Sequence, residues 1–211
     1  MTERTDWRAW HAPYDDPASP LSRRLGIVRS HVRAWLDAQP DGPARIVSAC
    51  AGRGLDLIPE LAGRRDAARF RATLVEYDSD NAAMAAELAR AAGLDVAVRE
   101  RDAGVTDAYT GAVPADLVLL CGVFGNVSDE DVRRTVAAAP QLCARGATVI
   151  WTRHRRAPDL TPAIRRWLTD AGFEERAFDS PGPDAFSVGV HRLVGEPVPL
   201  RIGQSLFTFA C

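Results

Sequence analysis

Residues 45–61, RIVSACAGRGLDLIPEL, run from an apolar strand-like segment through a small-residue turn into a helix. Nucleotide-binding α/β domains begin in this way. The turn that cradles a dinucleotide reads G-x-G-x-x-G. Gly52 and Gly54 supply its first two glycines, and Leu57 stands in place of the third. The third glycine lets the helix pack closely beneath a pyrophosphate, so a ligand without phosphates does not require it. A phosphate-loop ATP site is disfavoured too, because all 26 basic residues are arginine and that loop needs a lysine.

The strand-then-helix unit recurs along the chain. Leu21, Leu25, Val28, Val32, Trp35 and Leu36 fall at helical spacing and predict an amphipathic helix ending near Gln39, with PDGP as its break. Ile46 and Val47 form the first strand, and GLDLIPELAG the helix that Gly63 stops. RATLVEYDSDNAAMAAELARAAG reads as a second strand, a turn with N-caps at Asp78 and Asp80, and a helix closing at Gly93. DVAVRERDAG is a third strand. A fourth contains residues 117–121, which lack alternation, as a strand covered on both faces does. Ser128 and Asp131 are placed as a capping box for a helix up to about Cys143. GATVIWT is a fifth strand, followed by a helix with Thr161 as N-cap and Pro162 at its first position. FEERAF, AFSVGVHRLVG and QSLFTFA are three strand-like pieces without a helix between them, the last two read as a hairpin. The expected fold is a doubly wound, mostly parallel sheet with helices on both faces and an antiparallel C-terminal hairpin.

At 211 residues and 46% hydrophobic content the chain can build one large α/β domain. Residues 1–40 are read as an N-terminal arm and cap helix, and residues 41–211 as the ligand-binding domain. A formal net charge of -2 gives no global pull toward nucleic acid or an anionic membrane, which favours a small-molecule partner. Cys50, Cys121, Cys143 and Cys211 show no metal-ligand spacing, so no metal is expected and the thiols read as free. No apolar run approaches the ~18 residues of a membrane span, and the expectation is a cytoplasmic protein.

Ligands of an open parallel sheet bind beyond the carboxyl ends of its strands, so the residues just after each strand carry the chemistry. After strand one these are Ala51, Gly52, Arg53 and Gly54; after strand two, Glu76, Tyr77 and Asp78; after strand three, Asp102 and Ala103. Cys121 and residues 122–127, including Gly122 and Asn126, follow strand four, and Arg153 and His154 follow strand five. Glu76 lies 22 residues beyond Gly54, where a carboxylate can accept from both ribose hydroxyls; the plainer alternative is a loop acid near a helix start. Asp102 can accept from an adenine amino group or cap its own loop. His154 is a candidate general base because imidazole changes charge near neutrality, or else a surface residue of the run RHRR. Arg153, Arg155, Arg156, Arg165 and Arg166 form either a patch for a substrate carboxylate or phosphate, or a solvated face. Trp7, Trp10, His11 and Tyr14 lie together in a Pro-rich arm and read as a lid over the site, or as a packed arm.

Four segments in this order, VSACAGRG, LVEYD, RERDA and ADLVLLCGVFGNV, resemble the motifs of the class I S-adenosylmethionine-dependent methyltransferase family. The resemblance covers residues 45–211 and implies a Rossmann-like, seven-stranded sheet with a late hairpin. It also implies S-adenosyl-L-methionine as cofactor, with its methionine end on the turn of Ala51, Gly52, Arg53 and Gly54. Its ribose would lie on Glu76 and its adenine beside Tyr77, Asp102 and Ala103. Cys121 and Gly122 complete the implied cofactor site, the methyl group faces Asn126 and the arm with Trp10, His11 and Tyr14, and Arg153 is read with these as a substrate residue. Ser48 stands where the family commonly carries an acid, Cys50 where it carries a glycine, and no N-P-P-Y tetrapeptide follows the fourth strand. The expected activity is in-line methyl transfer to a small-molecule acceptor. A cofactor-binding protein without turnover, a nucleic-acid methyltransferase and a dehydrogenase are the alternatives.

Overall fold

A computed structural model describes residues 16, 19–182 and 186–209. Its elements are α1 (Pro20–Ala38), β1 (Ala44–Ala49), α2 (Ile58–Ala62), β2 (Phe70–Glu76), α3 (Ser79–Ala91) and β3 (Val96–Glu100), then β4 (Ala115–Leu120), α4 (Asp129–Ala138), β5 (Cys143–His154), α5 (Thr161–Asp170), β6 (Phe173–Asp179) and β7 (Phe186–Leu193). The seven strands form one sheet in the order β3-β2-β1-β4-β5-β7-β6. β1 to β5 are parallel, and β7 is antiparallel to both β5 and β6.

The central strands read as continuous apolar runs because both of their faces are covered. Val47, Val118, Val149 and Trp151 pack with Val132 and Val136 of α4 and Ile164 and Leu168 of α5. Their chain neighbours Ile46, Leu117, Leu119 and Ile150 pack with Val28, Val32 and Leu36 of α1 and Leu57, Ile58 and Leu61 around α2. Successive side chains of a strand point to opposite faces, so one apolar run serves both layers.

α1 is held by polar ties as well. Glu60 of α2 is buried and bridges Arg29 and Arg33, with Nε to carboxylate distances of 2.6 and 2.8 Å. His31 meets Asp179 of β6 at 2.6 Å. The helix finishes at the edge where β2 begins. There Arg69, just before β2, donates to the Pro40 carbonyl at 2.9 Å.

Local capping differs from expectation at two places. Ser128 accepts from the Asp131 N–H at 3.1 Å as anticipated, but α4 stops at Ala138 and Cys143 opens β5, because Pro140 cannot continue the helical hydrogen bonds. At α5 the N-cap position is Leu160, and Asp159 accepts from both the N–H and the hydroxyl of Thr161, at 2.9 and 2.7 Å.

The hairpin is β6 with β7, not the last two apolar pieces. Residues 204–209 form only isolated bridges, Val105 with Ser205 and Val127 with Phe209. This tail braces the loop after β3: Leu206 N–H donates to the Gly104 carbonyl at 2.7 Å, and a Cβ on Gly104 would stand 2.2 Å from the Phe207 carbonyl oxygen.

Candidate active site

The sheet order reverses direction between β1 and β4, which opens a crevice beyond their carboxyl ends. The β1–α2 turn forms its floor. Cys50, Gly52 and Gly54 all have positive φ, at 53°, 54° and 69°. Gly54 is needed for space as well, since a Cβ there would stand 2.6 Å from Ile58 Cδ1 and 2.9 Å from Leu74 Cδ1. The Ala51 N–H donates to the Val75 carbonyl at 3.1 Å, which ties the turn to β2.

Glu76 ends β2 and is only 8% exposed. Its Oε2 accepts from the Gly52 N–H at 2.7 Å and its Oε1 from the Asp78 N–H at 2.9 Å. Each carboxylate oxygen retains a further lone-pair site. Tyr77 beside it is 66% exposed, a large ring standing in solvent. Asp78 is used locally, accepting from the Asn81 N–H as the cap of α3. Asp102 is exposed and its Oδ1 accepts from the Gly104 N–H at 2.7 Å, while buried Ala103 receives the Tyr109 hydroxyl on its carbonyl. The Cys50 thiol lies in the field of both acids. Burial first, then Glu76 and Asp102, push its pKa well up and keep it protonated.

Beyond β4, the Gly122 N–H donates to Thr152 Oγ1 at 2.9 Å, and Asn126 Nδ2 donates to the Gly122 carbonyl at 2.6 Å. Asn126 therefore closes its own loop. Cys121 at the mouth of that loop is half-buried, and its thiol pKa is raised by burial and by Asp56.

Arg153 and His154 are the last residues of β5, not of the loop after it. Arg153 is 6% exposed, donates to the Phe124 carbonyl and contacts Asp129 at 3.2 Å. Its guanidinium ties β5 to the β4–α4 loop. Within the wider arginine group, Arg155 pairs with Asp159 and Arg165 with Glu175. His154 is half-buried, its Nδ1 enclosed without a hydrogen-bond partner and its Cδ2 3.4 Å from where a Cβ on Gly125 would stand. Burial first, then Arg153 and Arg156, lower its pKa from the ordinary imidazole value. Trp10, His11 and Tyr14 lie outside the described residues, as does Trp7.

No protein-family profile matches the chain, and no curated protein matches it significantly. Solved structures do match. Magnesium protoporphyrin IX methyltransferase from Synechocystis PCC 6803, with bound S-adenosylmethionine, superposes with a TM-score of 0.65 at 16% identity, over 89% of this chain and 91% of that one. The 1,6-didemethyltoxoflavin-N1-methyltransferase of Burkholderia thailandensis, bound to its namesake compound and S-adenosylhomocysteine, gives 0.68 at 16%, over 90% and 84%. The fold is that of the class I S-adenosylmethionine-dependent methyltransferases.

In this methyltransferase fold, Cys50 occupies the position where the family commonly has a glycine, and its φ of 53° shows why glycine is favoured there. Around the turn three enclosed polar atoms, Ser48 Oγ, Arg53 Nε and Asp56 Oδ1, have no hydrogen-bond partner. Buried polar atoms are rarely left so. Asp56, two residues after Gly54, is a buried acid beside the turn that sequence reading did not single out. Asp56 is 8% exposed, and its carboxyl pKa is pushed up to about 6, by burial above all and against the pull of Arg24. Its spacing from Gly54 was the available signal. Among the described residues no cluster of three or more His, Cys, Asp or Glu is placed to hold a metal, and no helix is long and apolar enough to cross a membrane.

Proposed function

We propose that this protein is an S-adenosylmethionine-dependent methyltransferase that acts on a small-molecule acceptor. The carrying observation is Glu76, a carboxylate at the end of β2 that is hydrogen-bonded to the glycine turn of β1 and has lone pairs to spare. Glu76 accepts from the ribose hydroxyls, the exposed Tyr77 ring offers a face for the adenine, and Asp102 accepts from the adenine amino group. The enclosed polar atoms at the turn fit the charged amino-acid end of this cofactor. They suit a nicotinamide dinucleotide less well, since Leu57 replaces the third glycine. The likeness to methyltransferases whose names specify small molecules supports the acceptor class.

The bound cofactor supplies an electrophilic methyl group, and the chain has to align an acceptor and exclude water. The Asn126 loop, fixed by Gly122 and clamped by Arg153, forms a firm wall for that acceptor. His154, neutral beside Gly125, takes up a proton at a ring nitrogen when the acceptor is a hydroxyl or an ammonium that must lose one. The arm carrying Trp10, His11 and Tyr14, which precedes α1 in the chain, is read as the cover of the site.

Calorimetry with S-adenosylhomocysteine and with NAD tests the reading: the first binds and the second does not. NAD binding without any to S-adenosylhomocysteine overturns it. Incubation of a metabolite extract with methyl-labelled S-adenosylmethionine then yields a labelled small molecule, and binding without any labelled product assigns the chain to an interaction role.

A further inference from the structure

In the sheet, β3 and β4 are separated by β2 and β1. The loop after β3 carries Asp102, the acid read as facing the adenine, and the loop after β4 carries Asn126 on the acceptor side. Residues 203–209 are bonded to both sides. Toward the first loop, the Gly203 N–H donates to Asp107 Oδ2 at 2.7 Å. The Gln204 N–H donates to Thr106 Oγ1 and the Thr106 N–H to the Gln204 carbonyl, each at 3.0 Å, and Ser205 bridges Val105. Toward the second, the Thr208 N–H donates to Asp131 Oδ2 at 3.2 Å, and Phe209 bridges Val127, the residue after Asn126.

Leu206 is the crossing point. Its N–H donates to the Gly104 carbonyl at 2.7 Å, while its carbonyl accepts from Thr135 Oγ1 of α4 at 3.0 Å and from Arg134 Nε at 3.2 Å. The Gly104 N–H in turn donates to Asp102 Oδ1 at 2.7 Å. A continuous series of hydrogen bonds thus leads from Asp102 through Gly104 and Leu206 to α4, whose first turn follows the Asn126 loop directly. Leu206 and Phe207 are buried in the same apolar cluster as Ala103 and Val127. Beyond that anchor Thr208 is exposed and Phe209 half-buried. A short segment with little buried surface opens at a lower free energy than the whole domain, so it has a docked and an undocked form.

We propose that residues 204–209 are a positioning strap: a nucleoside seated on Asp102 favours the docked strap, and the docked strap sets the Asn126 loop and the start of α4 for the acceptor. A ligand that prefers the docked form raises its population at both loops. The assignment rests on the methyltransferase reading above for the nucleoside at Asp102 and adds an order to it, cofactor before acceptor. Leu206, Thr208 and Phe209 act through Gly104, Asp131 and Val127, not on the ligands themselves.

Adenosine is the probe, because it carries the nucleoside and lacks the part of the cofactor that extends toward β4. Hydrogen exchange is followed with and without adenosine, on the parent protein and on a chain lacking residues 208–211. In the parent, adenosine slows exchange at residues 127–135 by at least about fivefold, the lower end for coupling between sites, and leaves α5 within about twofold. The shortened chain still binds adenosine in calorimetry, since Glu76 and Asp102 are untouched, but its residues 127–135 no longer respond. A response that survives the deletion overturns the proposal, as does a parent that binds adenosine without any response there. Equal slowing at α5 marks general stabilisation of the fold by ligand and overturns it too. Loss of adenosine binding on deletion makes the tail part of the nucleoside site, which also overturns it. If the shortened chain does not fold, Thr208→Pro, which removes the N–H given to Asp131, takes its place with the same outcomes. Should the parent not bind adenosine at all, the nucleoside site of the methyltransferase reading falls first, and the strap with it.

Discussion

The Gly52 N–H donates to Glu76 Oε2 at 2.7 Å, so the turn after β1 and the acid after β2 form one unit before any ligand arrives. A ribose-binding carboxylate is therefore also the brace of the turn that receives the rest of the ligand. Glu76→Ala is expected to weaken S-adenosylhomocysteine binding by about 1.5 to 3 kcal/mol or more, because both functions are lost together. Glu76→Gln gains little over alanine, since both carboxylate oxygens accept backbone N–H groups and an amide turns a donor toward one of them. Calorimetry on the two variants checks this, and a Gln variant of parental affinity contradicts it.

Gly189 on β7 faces Trp151 of β5 so closely that a Cβ would stand 2.3 Å from Cε2 of the indole. Trp151 is enclosed and its Nε1 donates to His191, so it cannot retreat. Gly189→Ala is predicted to destabilise the fold by roughly 1 to 3 kcal/mol, the range for overpacking a core. Gly63→Ala is the control: it has negative φ and nothing within 4 Å of the added methyl, so its melting temperature stays at or above the parent value.

His191 makes stability depend on acid. The ring is buried, accepts from Trp151 Nε1 at 3.2 Å, and has its pKa lowered to about 4 by burial, with Arg165 lowering it further and Glu175 opposing. In the unfolded chain it titrates near 6.5, so between the two values the unfolded state binds the extra proton. His191 thus contributes stability that is present above pH 6.5 and lost as pH falls toward 4, on the order of 3 kcal/mol in all. His191→Gln should lower the melting temperature at pH 7.5 and do so less at pH 4.5. A gap between parent and variant that ignores pH contradicts this account.

Removal of residues 1–15 separates the arm's role from that of α1. The helix keeps its buried Val28, Val32 and Leu36, its two arginines on Glu60 and its His31 contact with Asp179. The truncated chain should melt close to the parent temperature, bind S-adenosylhomocysteine more weakly and transfer no methyl group. An insoluble or strongly destabilised product shows instead that the arm is part of the core.

Much of the fold was legible because the responsible forces are local. Apolar runs without alternation marked β4 as doubly covered, Asp78 and Ser128 announced helix starts through their own side chains, and the glycine turn announced the crevice. The tail misled because QSLFTFA has the composition of a strand. Its backbone groups are instead claimed by Gly104, Thr106 and Thr135, all distant in sequence. His154 misled in another way. Its type predicted titration near neutrality, but burial, with Arg153 and Arg156 of the same run, lowers its pKa, and the burial is not visible in RHRR.

The sequence by itself determined the order of elements, the crevice end of the sheet and the strand-end position of Glu76, because periodicity, capping and turn chemistry act over a few residues. Only the tertiary structure decided that Arg153 is a clamp, that Glu76 holds the Gly52 amide, and that Asp56 lies enclosed. Burial and charge pairing depend on which distant segments meet across the sheet, and those meetings set whether a polar side chain is solvated, structural or left for a ligand.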